Sequence, residues 1–173
     1  VDAGGLEFGQ EPGPARAVVE EILRNSSLPF SVKLSPSVSD IRPVAEAVAE
    51  AGAGALTVAN TVPAMAIDVD RRRPTIATVF GGLSGPAIKP IALRNVYLAS
   101  SVTDIPVIAS GGIGSGHDAV EFIMAGASAV QIGTATFREP GAPWRILDEL
   151  IAWCEAEGVS RLQEIVGVAR RRD

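Results

Sequence analysis

The chain has 173 residues, 47% of them hydrophobic, with 20 acidic against 15 basic side chains and a pI near 4.9. That composition supports one ordinary globular core and excludes intrinsic disorder, and its acidic balance argues against a surface that neutralises nucleic-acid phosphates. The single Cys154 and single His117 exclude an internal disulfide and a multi-cysteine metal or iron–sulfur site; no apolar run approaches the roughly 18 residues of a membrane span and no signal-like segment opens the chain. The expectation is a cytoplasmic protein that binds a small molecule, with no metal, membrane or nucleic acid.

A first helix is expected around Val18, Val19, Ile22 and Leu23, followed by a buried strand over residues 30–34. Ile41, Val44, Ala45, Val48 and Ala49 then line one face of a helix, with Ser39 or Asp40 available to cap it and Pro43 tolerated in its first turn. A second strand over 55–59 leads into a stretch, 61–87, that is too long for an ordinary connection and reads as a lid or binding loop. After a further helix come a strand over 105–109, a helix carrying Val120, Ile123, Met124 and Ala127, and a strand over 129–132. The last helix carries Ile146, Leu147, Leu150, Ile151 and Cys154. Met124 and Cys154 read as core filler. The clusters Arg71–Arg73 and Arg170–Arg172 read as solvated loop and tail.

Strands alternating with helices imply parallel strands joined by right-handed crossovers. Open doubly wound sheets and closed barrels both satisfy that order. A complete eight-stranded barrel takes about 250 residues. Four strands would make half of one, which stands beside the open sheet as a reading of this order.

Parallel α/β folds gather ligands at the C-terminal ends of their strands. The third strand runs into Ser110-Gly111-Gly112-Ile113-Gly114-Ser115-Gly116 and the fourth into Gly133-Thr134-Ala135. Such glycines let backbone amides approach an anion, and the helix N-terminus that follows adds partial positive charge. A phosphate monoester shared by the two loops is the expected ligand, although glycines also serve plain tight turns. Lys33 lies between Val32 and Leu34 inside the first strand, where an ammonium is costly to bury unless an anion faces it; the alternative is a lysine reaching solvent. Asn60 and Thr61 end the second strand and offer an amide and a hydroxyl to a polar planar ring, or form an ordinary turn.

The blocks Ser31-Val32-Lys33-Leu34-Ser35-Pro36, Leu56 to Thr61 with Ala64-Met65-Ala66-Ile67-Asp68, and Gly81-Gly82-Leu83-Ser84-Gly85-Pro86-Ala87-Ile88-Lys89-Pro90 resemble class 1 dihydroorotate dehydrogenases. Gly111-Gly112-Ile113 and the segment from Ala125 to Ala135 continue the likeness in order, so that it covers nearly the whole chain. The resemblance implies a single partial domain over 1–173, the C-terminal half of a flavin-binding (β/α)8 TIM barrel. It implies FMN contacts at Lys33, Ala59, Gly85, Gly111, Gly112, Gly133 and Thr134, and a dihydroorotate- or orotate-facing pair at Asn60 and Thr61. The implied activity is FMN-dependent oxidation of (S)-dihydroorotate to orotate in pyrimidine biosynthesis. The segment from Ala64 to Pro74 is most similar to the NAD-linked subtype, whose partner is an iron–sulfur flavoprotein subunit.

In the family the catalytic base lies in a motif just before the glycine pair that Gly4-Gly5 resembles, so the base is expected upstream of Val1 and the chain alone is expected to be inactive. Cys154, in a late amphipathic helix, does not replace it. Rival expectations are another FMN barrel, such as a tRNA dihydrouridine synthase, and a noncatalytic phosphate-binding half-barrel. Four strands taken from a barrel leave two open edges, together with an exposed inner face expected from Val32, Leu34, Leu56, Val58, Val107, Ile108, Val130 and Ile132. Self-association into a homo-oligomer follows, as does a need for the N-terminal half of the barrel.

Overall fold

The computed structural model describes residues 9–170. Gly4-Gly5, Arg171 and Arg172 lie outside them. The chain opens with helix α1 (Pro12–Asn25) and continues through strand β1 (Ser31–Leu34), α2 (Arg42–Glu50) and β2 (Ala55–Val58). After the 61–87 segment come α3 (Lys89–Ala99), β7 (Val107–Ser110), α4 (Gly116–Ala125), β8 (Ala129–Gln131), a one-turn α5 (Ala135–Arg138) and α6 (Ala142–Ala156). The four main strands form one parallel sheet in the order β1-β2-β7-β8. Each crossover carries a helix, the βα repeat expected of part of a (β/α)8 barrel.

The segment read as a long loop is structured. It contains two small antiparallel ribbons, β3 (Val62–Ala64) with β6 (Gly81–Leu83) and β4 (Ile67–Asp68) with β5 (Arg73–Pro74). Their strands have two or three residues each, too few for a periodic pattern to announce them.

The core lies between the sheet and the helices. Leu34, Leu56, Val58, Val107 and Ala109 are buried there with Val44, Val48, Val96, Phe122 and Ile146, and Val32, Val130 and Ile132 pack against them. This corrects the expected inner face. Seven of the eight side chains assigned to an exposed row, all except Ile108, belong to this helix-covered core. Side chains alternate across a strand, so whatever shares a face with Lys33 cannot include its neighbours Val32 and Leu34. The register pairs Lys33 with Thr57 and Thr57 with Ile108, and the remaining residues on that face include Ser31, Ser110 and Gln131. The open face is therefore largely polar, and the Ser31 and Thr57 hydroxyls lie 3.2 Å apart on it.

Unpartnered apolar surface sits instead on the flanking helices. Val18, Ile22 and Leu23 of α1 are 40%, 37% and 42% exposed, and Leu147 and Ile151 of α6 join Trp144 in an outward stripe. Of the apolar residues that marked α1 and α6 in the sequence, Val19, Ile146 and Leu150 are buried. Pro43 sits in the first turn of α2 as expected, but the N-cap position is Ile41, with neither Ser39 nor Asp40 capping the helix; the Asp40 carboxylate, just before it, accepts from the Arg42 N–H at 3.0 Å. The Arg42 guanidinium on that carboxylate holds Asp40 down at about 2. Arg71 to Arg73 are exposed, as a solvated run should be. Arg170 is not: it is half-buried and donates to the Ser100 carbonyl. No described helix is long and apolar enough to cross a membrane.

Candidate functional site

A cleft of about 400 Å³ opens at the C-terminal ends of the four parallel strands. All nine residues singled out in the sequence line it. Lys33 comes from β1; Ala59, Asn60 and Thr61 follow β2; Gly85 follows β6; Gly111 and Gly112 follow β7; Gly133 and Thr134 follow β8. They come from sequence positions about a hundred residues apart at the extremes, Lys33 and Thr134, and the parallel register is what brings their strand ends level.

At the β2 end, the Ala59 N–H donates to the Ser110 carbonyl at 2.9 Å and the Asn60 N–H to the Leu34 carbonyl at 3.1 Å, so this corner is tied to both neighbouring strands. The Asn60 side-chain oxygen accepts from the Thr61 N–H at 2.9 Å, which leaves its amide NH2 free for a ligand. Lys33 differs from the expectation of a buried ammonium. Because it lies on the open face of β1 it is exposed to the cleft, and among the described residues no carboxylate pairs with it.

The glycine loops fit an anion. Gly111 and Gly112 have φ of 130° and 79°, and a Cβ on Gly112 would lie 2.7 Å from the Lys89 backbone nitrogen and 2.9 Å from the Gly85 carbonyl oxygen. Only glycine lets the 85–89 and 111–112 backbones pass this closely. Among the described residues no acceptor takes the N–H of Gly111, Gly112, Gly133 or Thr134. These amides border the cleft with their hydrogen-bonding capacity unspent.

One expectation is corrected here. The N-terminus of α4 does not offer its charge to a ligand, because the chain's own carboxylates occupy it. Glu149 of α6 accepts from the Gly116 N–H at 2.6 Å, and Asp118 accepts from the Gly114 N–H at 2.9 Å. Ser115 caps the helix by accepting from the Asp118 N–H at 3.1 Å. Two cations hold these acids. Lys89 donates to Asp118 at 2.5 Å and Glu121 at 2.9 Å, and Arg145 pairs with Glu139 and Glu149. Burial pushes the Asp118 carboxyl up, but the Lys89 ammonium, the Gly114 amide and the Ser115 hydroxyl together bring it below its ordinary value. The Gly116 amide, then Arg145, lower Glu149.

The cleft is also lined by residues to which the sequence reading gave no role: Ser84, Ser110, Gln131, Phe137 and Arg138. Ser110 and Gln131 were findable, since they are register partners at the cleft ends of β7 and β8. Phe137 and Arg138 ride on α5, a four-residue helix that leaves no periodic signal. Among the described residues none that lines the cleft is Cys, His, Asp or Glu, and Cys154 is half-buried against the core in α6. Among the described residues no three His, Cys, Asp or Glu side chains converge as a metal site would require.

A family model described as dihydroorotate dehydrogenase matches residues 1–153. A dihydroorotate dehydrogenase B (NAD(+)) catalytic subunit of Desulforudis audaxviator is 48% identical over 99% of this chain and 56% of its own length. A protein of Solibacter usitatus, provisionally named dihydroorotate dehydrogenase A (fumarate), is 52% identical over 96% of this chain and 55% of its own. The crystal structure of a dihydroorotate dehydrogenase from Eimeria tenella in complex with ferulenol superposes with a TM-score of 0.79 at 27% identity, covering 98% of this chain and 51% of that one. The chain thus spans about half the length of the curated relatives it matches. On the family match, the identities and the shared half-barrel, the chain belongs to the dihydroorotate dehydrogenase family.

Proposed function

We propose that this chain is the cofactor-holding part of an FMN-dependent dihydroorotate dehydrogenase, which oxidises (S)-dihydroorotate to orotate in de novo pyrimidine biosynthesis. The observation that carries the reading is that Lys33, Ala59, Asn60, Thr61, Gly85, Gly111, Gly112, Gly133 and Thr134 line a single cleft. In this reading the chain is one partial domain, the C-terminal half of the barrel. The free amides of Gly111, Gly112, Gly133 and Thr134 fit a phosphate, and the close backbone passage at Gly112 provides the cradle. Lys33, an unpaired cation on the cleft floor, favours a ring that gains negative charge. Asn60 and Thr61 present an amide and a hydroxyl at the substrate end.

When bound, flavin mononucleotide supplies a hydride acceptor that can be reoxidised by a second partner. The chain's own residues orient the cofactor and set its electrostatics. Proton removal from the substrate needs a base within hydrogen-bond reach, and the proposal assigns that base to residues outside those described. The names of the NAD-type relatives support an electron-transfer subunit as partner, which we take to be an iron–sulfur flavoprotein. A lone thiol with no disulfide fits a cytoplasmic location.

The test is spectroscopic. The purified chain should bind FMN, and on adding the N-terminal half of a close relative the flavin should bleach with dihydroorotate. No binding of FMN in either setting refutes the reading. Bleaching with a dihydrouridine-containing RNA instead of dihydroorotate replaces it with the rival flavin enzyme.

A further inference from the structure

The loop between β7 and α4 has three peptide groups held from behind the cleft. The Gly114 N–H donates to Asp118, the Gly114 carbonyl accepts from the Arg145 guanidinium at 3.2 Å, and the Gly116 N–H donates to Glu149 at 2.6 Å. Arg145 is itself fixed by Glu139 at 2.9 Å and by Glu149 at 2.6 Å. Helix α6 comes this close only because residue 116 is glycine: a Cβ there would lie 2.5 Å from the Glu149 Cβ and 2.6 Å from the Leu150 nitrogen. On the other flank, Lys89 secures Asp118 from the start of α3, and its backbone presses against Gly112.

We infer that Arg145, Glu149 and Asp118 are positioning residues for phosphate recognition. They never reach the ligand themselves. By occupying the α4 N-terminus and fixing both the N–H and the carbonyl of Gly114, they dictate which amides of the loop stay unpaired on the cleft side, namely those of Gly111 and Gly112. A carboxylate at a helix N-terminus takes the place an anion would otherwise occupy, so the phosphate is directed to the loop and away from the helix. The fork geometry matters as well, because Arg145 spans two carboxylates and a carbonyl with one planar group, which a lysine cannot do.

This inference rests on the reading of the cleft as a flavin phosphate site. Its test compares FMN with riboflavin, which carries the same ring without the phosphate, by fluorescence-quenching titration of the full chain. The parent should prefer FMN by at least tenfold. Arg145→Lys and Glu149→Ala should each lose most of that preference while riboflavin affinity stays within about twofold, and Glu149→Gln, whose amide oxygen still accepts from Gly116, should recover part of it. Circular dichroism identifies variants that fail to fold, and Glu149→Gln keeps the comparison open if Glu149→Ala is one. A parent with no preference for FMN overturns the cofactor reading and this inference together. A parent with the preference, and folded variants that retain it or that lose FMN and riboflavin equally, overturns this inference alone.

Discussion

Thr61, just before β3, and Gly82 of β6 meet so closely that a Cβ on Gly82 would clash with the Thr61 hydroxyl oxygen. The ribbon therefore sets where Thr61 stands in the cleft, at the end proposed for the substrate. Gly82→Ala forces Thr61 or the ribbon to shift. The expected result is weaker binding of orotate to the flavin-loaded protein, by about tenfold, with FMN affinity little changed, since a displaced hydrogen-bonding group costs on the order of 1 kcal/mol or more. Orotate titration followed by flavin absorbance checks this, and an unchanged dissociation constant removes Thr61 from the substrate end.

Gly112 and Gly133 border the same cleft but differ in what surrounds them. Gly112 has positive φ and no room for a Cβ, whereas nothing lies within 4 Å of a Cβ on Gly133. Gly112→Val should destabilise the fold by about 2 kcal/mol or more and abolish FMN binding. Gly133→Ala should keep stability within about 0.5 kcal/mol. Urea denaturation of both variants separates them, and equal loss of stability contradicts the packing described.

Lys33 faces the cleft, and among the described residues no carboxylate pairs with it. A cation there favours a reduced, anionic flavin over the oxidised, neutral one, so Lys33→Met should lower the midpoint potential of bound FMN. The expected drop is about 30 mV, the scale of one charge-assisted hydrogen bond in a two-electron couple. Redox titration with a reference dye measures it. The same potential in both proteins means that Lys33 does not face the ring.

Asp118, Glu139 and Glu149 all have carboxyls lowered below their ordinary values, Glu139 chiefly by the Arg145 guanidinium. A lowered carboxyl contributes stability that is fully present above its unfolded value and disappears as pH falls through the folded one. The chain should therefore hold its stability from neutral pH to about 5 and lose it progressively below about 4.5, where these acids take up protons. Asp118→Asn should flatten part of that acid limb. Thermal melts across pH 3 to 7 provide the check, and a limb unchanged in the variant assigns the acid sensitivity elsewhere.

Self-association is expected through helices. Trp144 is 73% exposed and aligns with Leu147 and Ile151 on α6, while Val18, Ile22 and Leu23 are exposed on α1. Replacing Trp144 and Leu147 together with lysine should shift the chain toward monomer in light scattering. If instead Ile108→Lys on the open sheet face does so, the association surface is the sheet.

The strands, their parallel order and the ligand end of the sheet were legible because buried β-branched runs and glycine-rich strand ends are local signals. The nine cleft residues were legible through the family's motifs, with Lys33 and the glycine pairs also visible as chemistry. The facing of the strand side chains was misread because the apolar residues were assigned to the inner face, whereas all but Ile108 pack under the helices; Val107 and Ile108, as neighbours, cannot share a face in any case. The ion pairs behind the loop left no trace in the sequence, since Lys89 and Asp118 are 29 positions apart and Gly116 and Glu149 are 33 apart. Leu147 and Ile151 show a further limit: a helix pattern says which residues are apolar, and only the neighbours present decide which of them are covered.

The alternation of the strands has a consequence for how this chain tolerates change. In β1 and β7 the residues that hold the fold and those that meet the cleft are interleaved one by one, Val32 and Leu34 against Lys33, Val107 and Ala109 against Ser110. Substitutions read along either strand should thus fall into two populations with a period of two, one costing expression and the other costing ligand. A new ligand could be selected through the second set while the first is left untouched, so the strands that build the core are also the place where specificity can drift without unfolding the protein.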